Sequence, residues 1–165
     1  MRKLAIILLG SATLAQPGVA ATRMEAASAA QASEAVRECI AITSPKWIDL
    51  AKLKQDGWQI ATKTGRQGLM QIRGVYKKKD SEAYIVAGRD ELREKRCMVI
   101  ARLDATSSYH PMAAQIATDL GSQPSQDNFT YSWTSGAATV VMTPKGDRES
   151  PTAEFTISAR EDETQ

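Results

Sequence analysis

The chain has one histidine, His110, in the stretch Ser107-Ser108-Tyr109-His110-Pro111-Met112, with Asp104 just upstream. A hydroxyl, an imidazole and a carboxylate are the groups acyl transfer needs as nucleophile, general base and orienting acid. Their spacing works against that chemistry. Ser107 and Ser108 lie too close to His110 in sequence for a triad approach, and no GxSxG elbow is present. Copper ligation by His110 and Met112 is a second possibility, but two ligands do not make a site. Nothing in the sequence brings Met70, Met98 or Met142 to them.

Other chemical templates fail outright. The chain has no phosphate-binding loop, dinucleotide turn, HExxH helix or calcium loop. No carboxylate pair is marked by an apolar setting of the kind that raises an acid's pKa. The expectation is a non-catalytic protein without metal or cofactor, with His110 at a helix start. An envelope-directed hydrolase using His110 is the rival.

The remaining reactive residues are Cys39 and Cys97. Their separation fits neither a redox CxxC nor a paired metal-ligand pattern. In an exported protein an even pair predicts a disulfide, worth about 4 kcal/mol on the loop-entropy estimate.

Export is what the N-terminus predicts. Arg2 and Lys3 are followed by an uncharged apolar run over 4–15, then by a helix-breaking, small-residue segment ending at Ala20-Ala21. That is the layout of a secretory signal peptide over residues 1–20. The run is shorter than the roughly 20 residues that span a bilayer. No transmembrane segment is expected after cleavage, and the location is periplasmic or secreted. The chain carries 21 Lys+Arg against 19 Asp+Glu; two of those bases are Arg2 and Lys3, which leaves 19 against 19. A neutral mature protein gives no ground for a nucleic-acid partner.

The neutral total conceals a gradient. Residues 46–103 carry 14 bases against 7 acids, and residues 104–165 carry 3 against 9. A basic half suits an anionic partner: a lipid head group, an envelope polysaccharide or an acidic envelope protein. Arg66, Lys77, Lys78, Lys79 and Arg96 are the candidate contacts. The gradient would mean less if the halves packed together and neutralised each other.

Residues 21–35, rich in Ala, Ser and Gln, read as a flexible segment or weak surface helix. Residues 36–160 form one domain, and 161–165 an acidic tail. Ser44-Pro45 predicts a helix start, with Trp47, Leu50, Ala51 and Leu53 as its apolar stripe and Gly57 as its stop. Strands are expected over 58–62, 69–76 and 83–87, and a short exposed helix over 89–95. Residues 97–103 are apolar on both alternating faces and predict a doubly covered central strand.

A second helix follows, capped by Ser107 or Ser108 and stopped by Gly121, and then strands over 129–134, 138–143 and 153–159. In these the alternation sends Phe129, Tyr131, Trp133, Phe155 and Ile157 to the core. It sends Thr130, Ser132, Thr134, Thr156 and Ser158 to a hydroxyl-bearing opposite face. Trp47, Trp58 and Trp133 read as core anchors. The class is α+β: an antiparallel sheet of about six or seven strands with helices on one face, built from two helix-plus-three-strand units.

Overall fold

Antiparallel pairing of two strands distant in sequence holds the molecule together. A computed structural model describes residues 24–65, 68–88 and 96–160. Its eight strands are β1 (Gln59–Gly65), β2 (Gly68–Lys77), β3 (Tyr84–Val86), β4 (Cys97–Arg102), β5 (Ser125–Asp127), β6 (Thr130–Ser135), β7 (Ala138–Lys145) and β8 (Thr152–Ala159). They form one sheet in the order β1-β2-β3-β4-β8-β7-β6-β5. The helices are α1 (Ala29–Ile42), α2 (Leu50–Gln55) and α3 (Tyr109–Leu120). The sheet is antiparallel throughout, with helices against one face, and it has eight strands where six or seven were expected.

The strand order is a palindrome about β4 and β8. That pair is antiparallel, with Cys97 opposite Ile157, Val99 opposite Phe155 and Ala101 opposite Ala153. Two units of one long helix and four strands therefore meet at their last strands, as a two-fold rotation through the seam would arrange them. The expected pair of helix-plus-strand units takes an altered form. Each unit has four strands, and the first unit's long helix is α1 rather than one starting at Pro45.

Over 29–35, where a flexible segment or weak surface helix was expected, the chain forms the start of α1, a helix with a buried face. Ser28 Oγ accepts the Gln31 N–H at 3.2 Å, and Gln31 Oε1 accepts the Ser28 N–H at 2.9 Å. This reciprocal box satisfies donors that a helix start otherwise leaves unpaired. Ala32, Ala35, Val36, Cys39 and Ile42 recur at helical spacing and are buried. Their small side chains let α1 approach closely, and it packs on β4, β8 and α3. The disulfide between Cys39 on α1 and Cys97 on β4 spans a Cα separation of 5.5 Å.

Ser44-Pro45 does not begin a helix. Ser44 Oγ donates to the Trp47 carbonyl at 2.8 Å and accepts the Trp47 N–H at 3.1 Å. This closed turn leaves Trp47 62% exposed. α2 starts later, where Asp49 Oδ1 accepts the amides of Ala51 and Lys52. The helix expected over 89–95 lies outside the described residues.

β4 is central, but it is covered on one face only. Cys97, Val99 and Ala101 are buried beneath the helices, while Met98, Ile100 and Arg102 are half-buried on the open face. Tyr131, Trp133, Phe155 and Ile157 are buried as the alternation predicts, with Thr130, Ser132, Thr156 and Ser158 half-buried opposite. Phe129 departs from that pattern and is 64% exposed. With Asn128 it forms the link between Asp127 and Thr130, a ladder pair, so strand alternation does not govern it. Trp58 and Trp133 are core residues.

The fit of α1 on the sheet is tight enough to test. Enlarging Ala35, which is fully buried, overpacks that contact at a cost of about 1–3 kcal/mol. Ala35→Leu is therefore expected to lower the urea midpoint without changing the m-value. A variant as stable as the parent would show that α1 is loosely held.

Candidate functional site

β2 ends in Lys77, and the turn that follows contains Lys78 and Lys79. Lys77 Nζ pairs with Glu82 at 2.8 Å and lies 5.4 Å from the centre of the Tyr84 ring. Lys78 Nζ reaches across to Glu34 of α1 at 2.7 Å. Lys79 is exposed and has no ion pair among the described residues. The three lysines line a groove of about 460 Å³ together with Gln59, Thr62 and Tyr84.

One wall of this groove is β1, an edge strand paired with β2 alone among the described residues. The β1–β2 register slips between Ile60 and Thr62. Such a bulge interrupts the ladder and turns the edge away from regular pairing. Lysines beside an edge strand discourage another strand from adding to it, and they also leave cationic groups where an extended anion can lie.

Of the other predicted contacts, Arg66 lies outside the described residues. Arg96 is not part of the groove. Lys77 is opposite Tyr84, Tyr84 is opposite Ile100, and Arg96 lies four residues back along β4's direction. At about 3.3 Å per residue this places it roughly 13 Å away along the sheet. The sequence did not single out Glu34, Glu82 or Tyr84, which hold and frame the lysines. Their partners are chosen by α1 and by the β2–β3 turn, and neither is visible as local spacing.

The pairings also fix protonation. The bond to Glu82 raises the Lys77 pKa, and the bond to Glu34 raises that of Lys78, so both ammonium groups persist over the ordinary pH range. One turn beyond Glu34, Glu38 faces Asp56, which is ion-paired with Lys52 at 2.7 Å. Glu38 Oε2 is buried without a hydrogen-bond partner. Burial, and then the negative charge of Asp56, push its pKa up.

The fold also decides whether the two halves cancel. Among the described residues, 24–103 carry eleven bases against seven acids once those of α1 are included, and 104–160 carry three against six. The halves join edge to edge through β4 and β8 and do not stack face to face. Only the seam brings them into contact within the sheet. The charge gradient therefore runs across it.

At the other end of the molecule, exposed His110 opens α3. Its Nδ1 is hydrogen-bonded to the Tyr131 hydroxyl, within a set of rings that includes Tyr109 and Trp133. Tyr109 Oη donates to the Phe129 carbonyl at 2.7 Å, and burial pushes its pKa well up. No hydrogen bond joins His110 to Asp104, Ser107 or Ser108 among the described residues. Neither serine caps the helix as expected: Ser107 and Ser108 lie in a 3-10 turn (Thr106–Ser108), and the Ser108 side chain makes no capping bond. Met112 and Met142 are buried in the core, away from exposed His110. No group of three His, Cys, Asp or Glu residues placed to hold a metal ion occurs among the described residues.

Comparison of the chain with protein-family models, curated proteins and solved structures finds no match.

The raised Glu38 pKa sets a direction for pH dependence. A carboxyl with a folded pKa above its unfolded value favours folding while protonated, and that contribution is lost as pH rises through the folded value. Glu38→Gln removes the charge and supplies an N–H donor toward Asp56. It is expected to stabilise the protein at neutral pH, with the gain shrinking towards about pH 4. Urea unfolding at the two pH values measures this. A variant less stable than the parent at pH near 7 would contradict it.

Proposed function

We propose that this chain acts as an exported, non-catalytic binding or accessory protein of the cell envelope. It engages an anionic partner through the groove of Lys77, Lys78 and Lys79 at the β1 edge. The observation that carries the proposal is the side-by-side joining of two oppositely charged units, which leaves the basic one facing outward. Ion pairs to Glu34 and Glu82 hold two of the ammonium groups in place, and Lys79 adds one that is unpaired among the described residues.

The buried Cys39–Cys97 bridge suits an oxidising compartment, and the layout of residues 1–20 suits export into one. Among the described residues no helix is long and apolar enough to cross a membrane. Anionic lipid head groups, an envelope polysaccharide and an acidic envelope protein all offer the chemistry the lysines would recognise. Arg96 does not line this groove.

The mature protein is expected to bind phosphatidylglycerol-containing vesicles or an anionic polysaccharide, and to release them as salt is raised from about 0.1 to 1 M, where the screening length falls to about 3 Å. A lysine beside an anionic surface is worth about 1 kcal/mol, so Lys79→Gln should weaken binding about fivefold. Cosedimentation or calorimetry over a salt series provides the measurement. Affinity indifferent to both salt and Lys79 would remove the proposal.

A further inference from the structure

Of the three bases in the described part of the second unit, Lys145, Arg148 and Arg160, two stand at one cleft, and the chain's only histidine joins them there. The cleft has a volume of about 460 Å³ and opens between the start of α3, the β5–β6 turn and the β7–β8 loop. Its walls are apolar: Leu103, Tyr109, Phe129, Pro144 and Pro151. Cations gathered in an acidic unit, around an apolar hollow of ligand size, call for an explanation that solvation does not supply. Pockets for small molecules commonly have this composition, with few polar groups on an apolar lining.

Two features hold the cleft in shape before any ligand arrives. Phe129 is 64% exposed, and its carbonyl accepts the 2.7 Å bond from Tyr109, so the backbone that carries the uncovered ring is held. Opposite, Asp147 Oδ1 accepts the amides of Glu149 and Ser150 at 2.9 and 2.8 Å, closing the β7–β8 loop on itself. Gly146 lies in that loop at φ +75°, where an added Cβ would come within 2.1 Å of the Ser150 carbonyl oxygen. Asp147 is the one carboxylate lining the cleft among the described residues, and its Oδ1 already accepts these amides.

We infer that this cleft binds a small organic anion: a flat apolar ring system bearing one carboxylate or sulfonate. The ring would lie against Phe129 and Tyr109, and the anionic group would face Lys145, Arg148 and His110. This site is separate from the Lys77–Lys79 groove and does not depend on it.

The test uses two fluorescent probes with the same aromatic body, anilinonaphthalene sulfonate and the neutral phenylnaphthylamine. The mature protein is expected to take up the sulfonate at a single saturable site, at least about tenfold more tightly than the neutral probe. Phe129→Ala and the double variant Lys145→Gln/Arg148→Gln should each weaken sulfonate binding about tenfold. The triple variant Lys77→Gln/Lys78→Gln/Lys79→Gln should bind as the parent does. Amide NMR shifts on titration should cluster at His110 and Phe129. Unsaturable binding, equal affinity for the neutral probe, indifference to the cleft variants or shifts clustered elsewhere would each overturn the inference.

Discussion

The pairing of β4 with β8 is the constraint on which the rest of the structure depends. Six residues of β4 find partners on β8 in unbroken register, and the Leu103 N–H extends the contact by donating to the Pro151 carbonyl at 2.8 Å. Each unit alone would present an apolar strand edge and half of a hydrophobic face, and joining them removes both liabilities. α1 lies over the join and touches both strands, and the Cys39–Cys97 bridge attaches it to one of them. Burial of Val99, Phe155 and Ile157 under that helix supplies the apolar contact that fixes which way the sheet faces.

The same seam determines what the surface can do. Units joined edge to edge keep their charges apart, so the basic unit ends in an exposed edge strand with three lysines beside it. The acidic unit ends at the other edge, and two of its three described cations, Lys145 and Arg148, stand at the β7–β8 loop. Had the units stacked as two layers, the charges would have met and largely cancelled. Topology, more than composition, gives the protein two chemically different ends.

Much of this was legible in the sequence, for physical reasons that can be named. The period-two alternation of Tyr131 with Trp133 and of Phe155 with Ile157 gave the correct faces, because those strands lie in regular ladders. The cysteine pairing follows from the even count together with the export expected of the N-terminus, and the bridge is present. The burial of α1 was not legible because its buried face is made largely of small residues, which contribute little to an apolar periodicity. The capping signal from Ser28 to Gln31 was nonetheless present in the chain.

Trp47 and Phe129 were misplaced for a shared reason: each sits in a turn, where neither helical nor strand periodicity applies. Of the candidate site, the cluster Lys77–Lys79 was visible as a charge run, but its acidic partners were not. Glu34 comes from α1, more than forty residues away in sequence, and such pairings are set by tertiary packing alone. The cleft at His110 was likewise hidden. It gathers residues from α3, two loops and the end of β4, each unremarkable in its own segment.

Native-state hydrogen exchange resolved by residue tests the primacy of the seam most directly. If the β4–β8 join is the last element to open, the amides that cross it should exchange only through global unfolding, with those around Val99 and Phe155 the slowest in the protein. The edge strands β1 and β5 should exchange by local fraying at much lower free energy. Seam amides that exchange faster than those between β1 and β2 or between β6 and β7 would contradict the account, because the two units would then hold together better than the join between them.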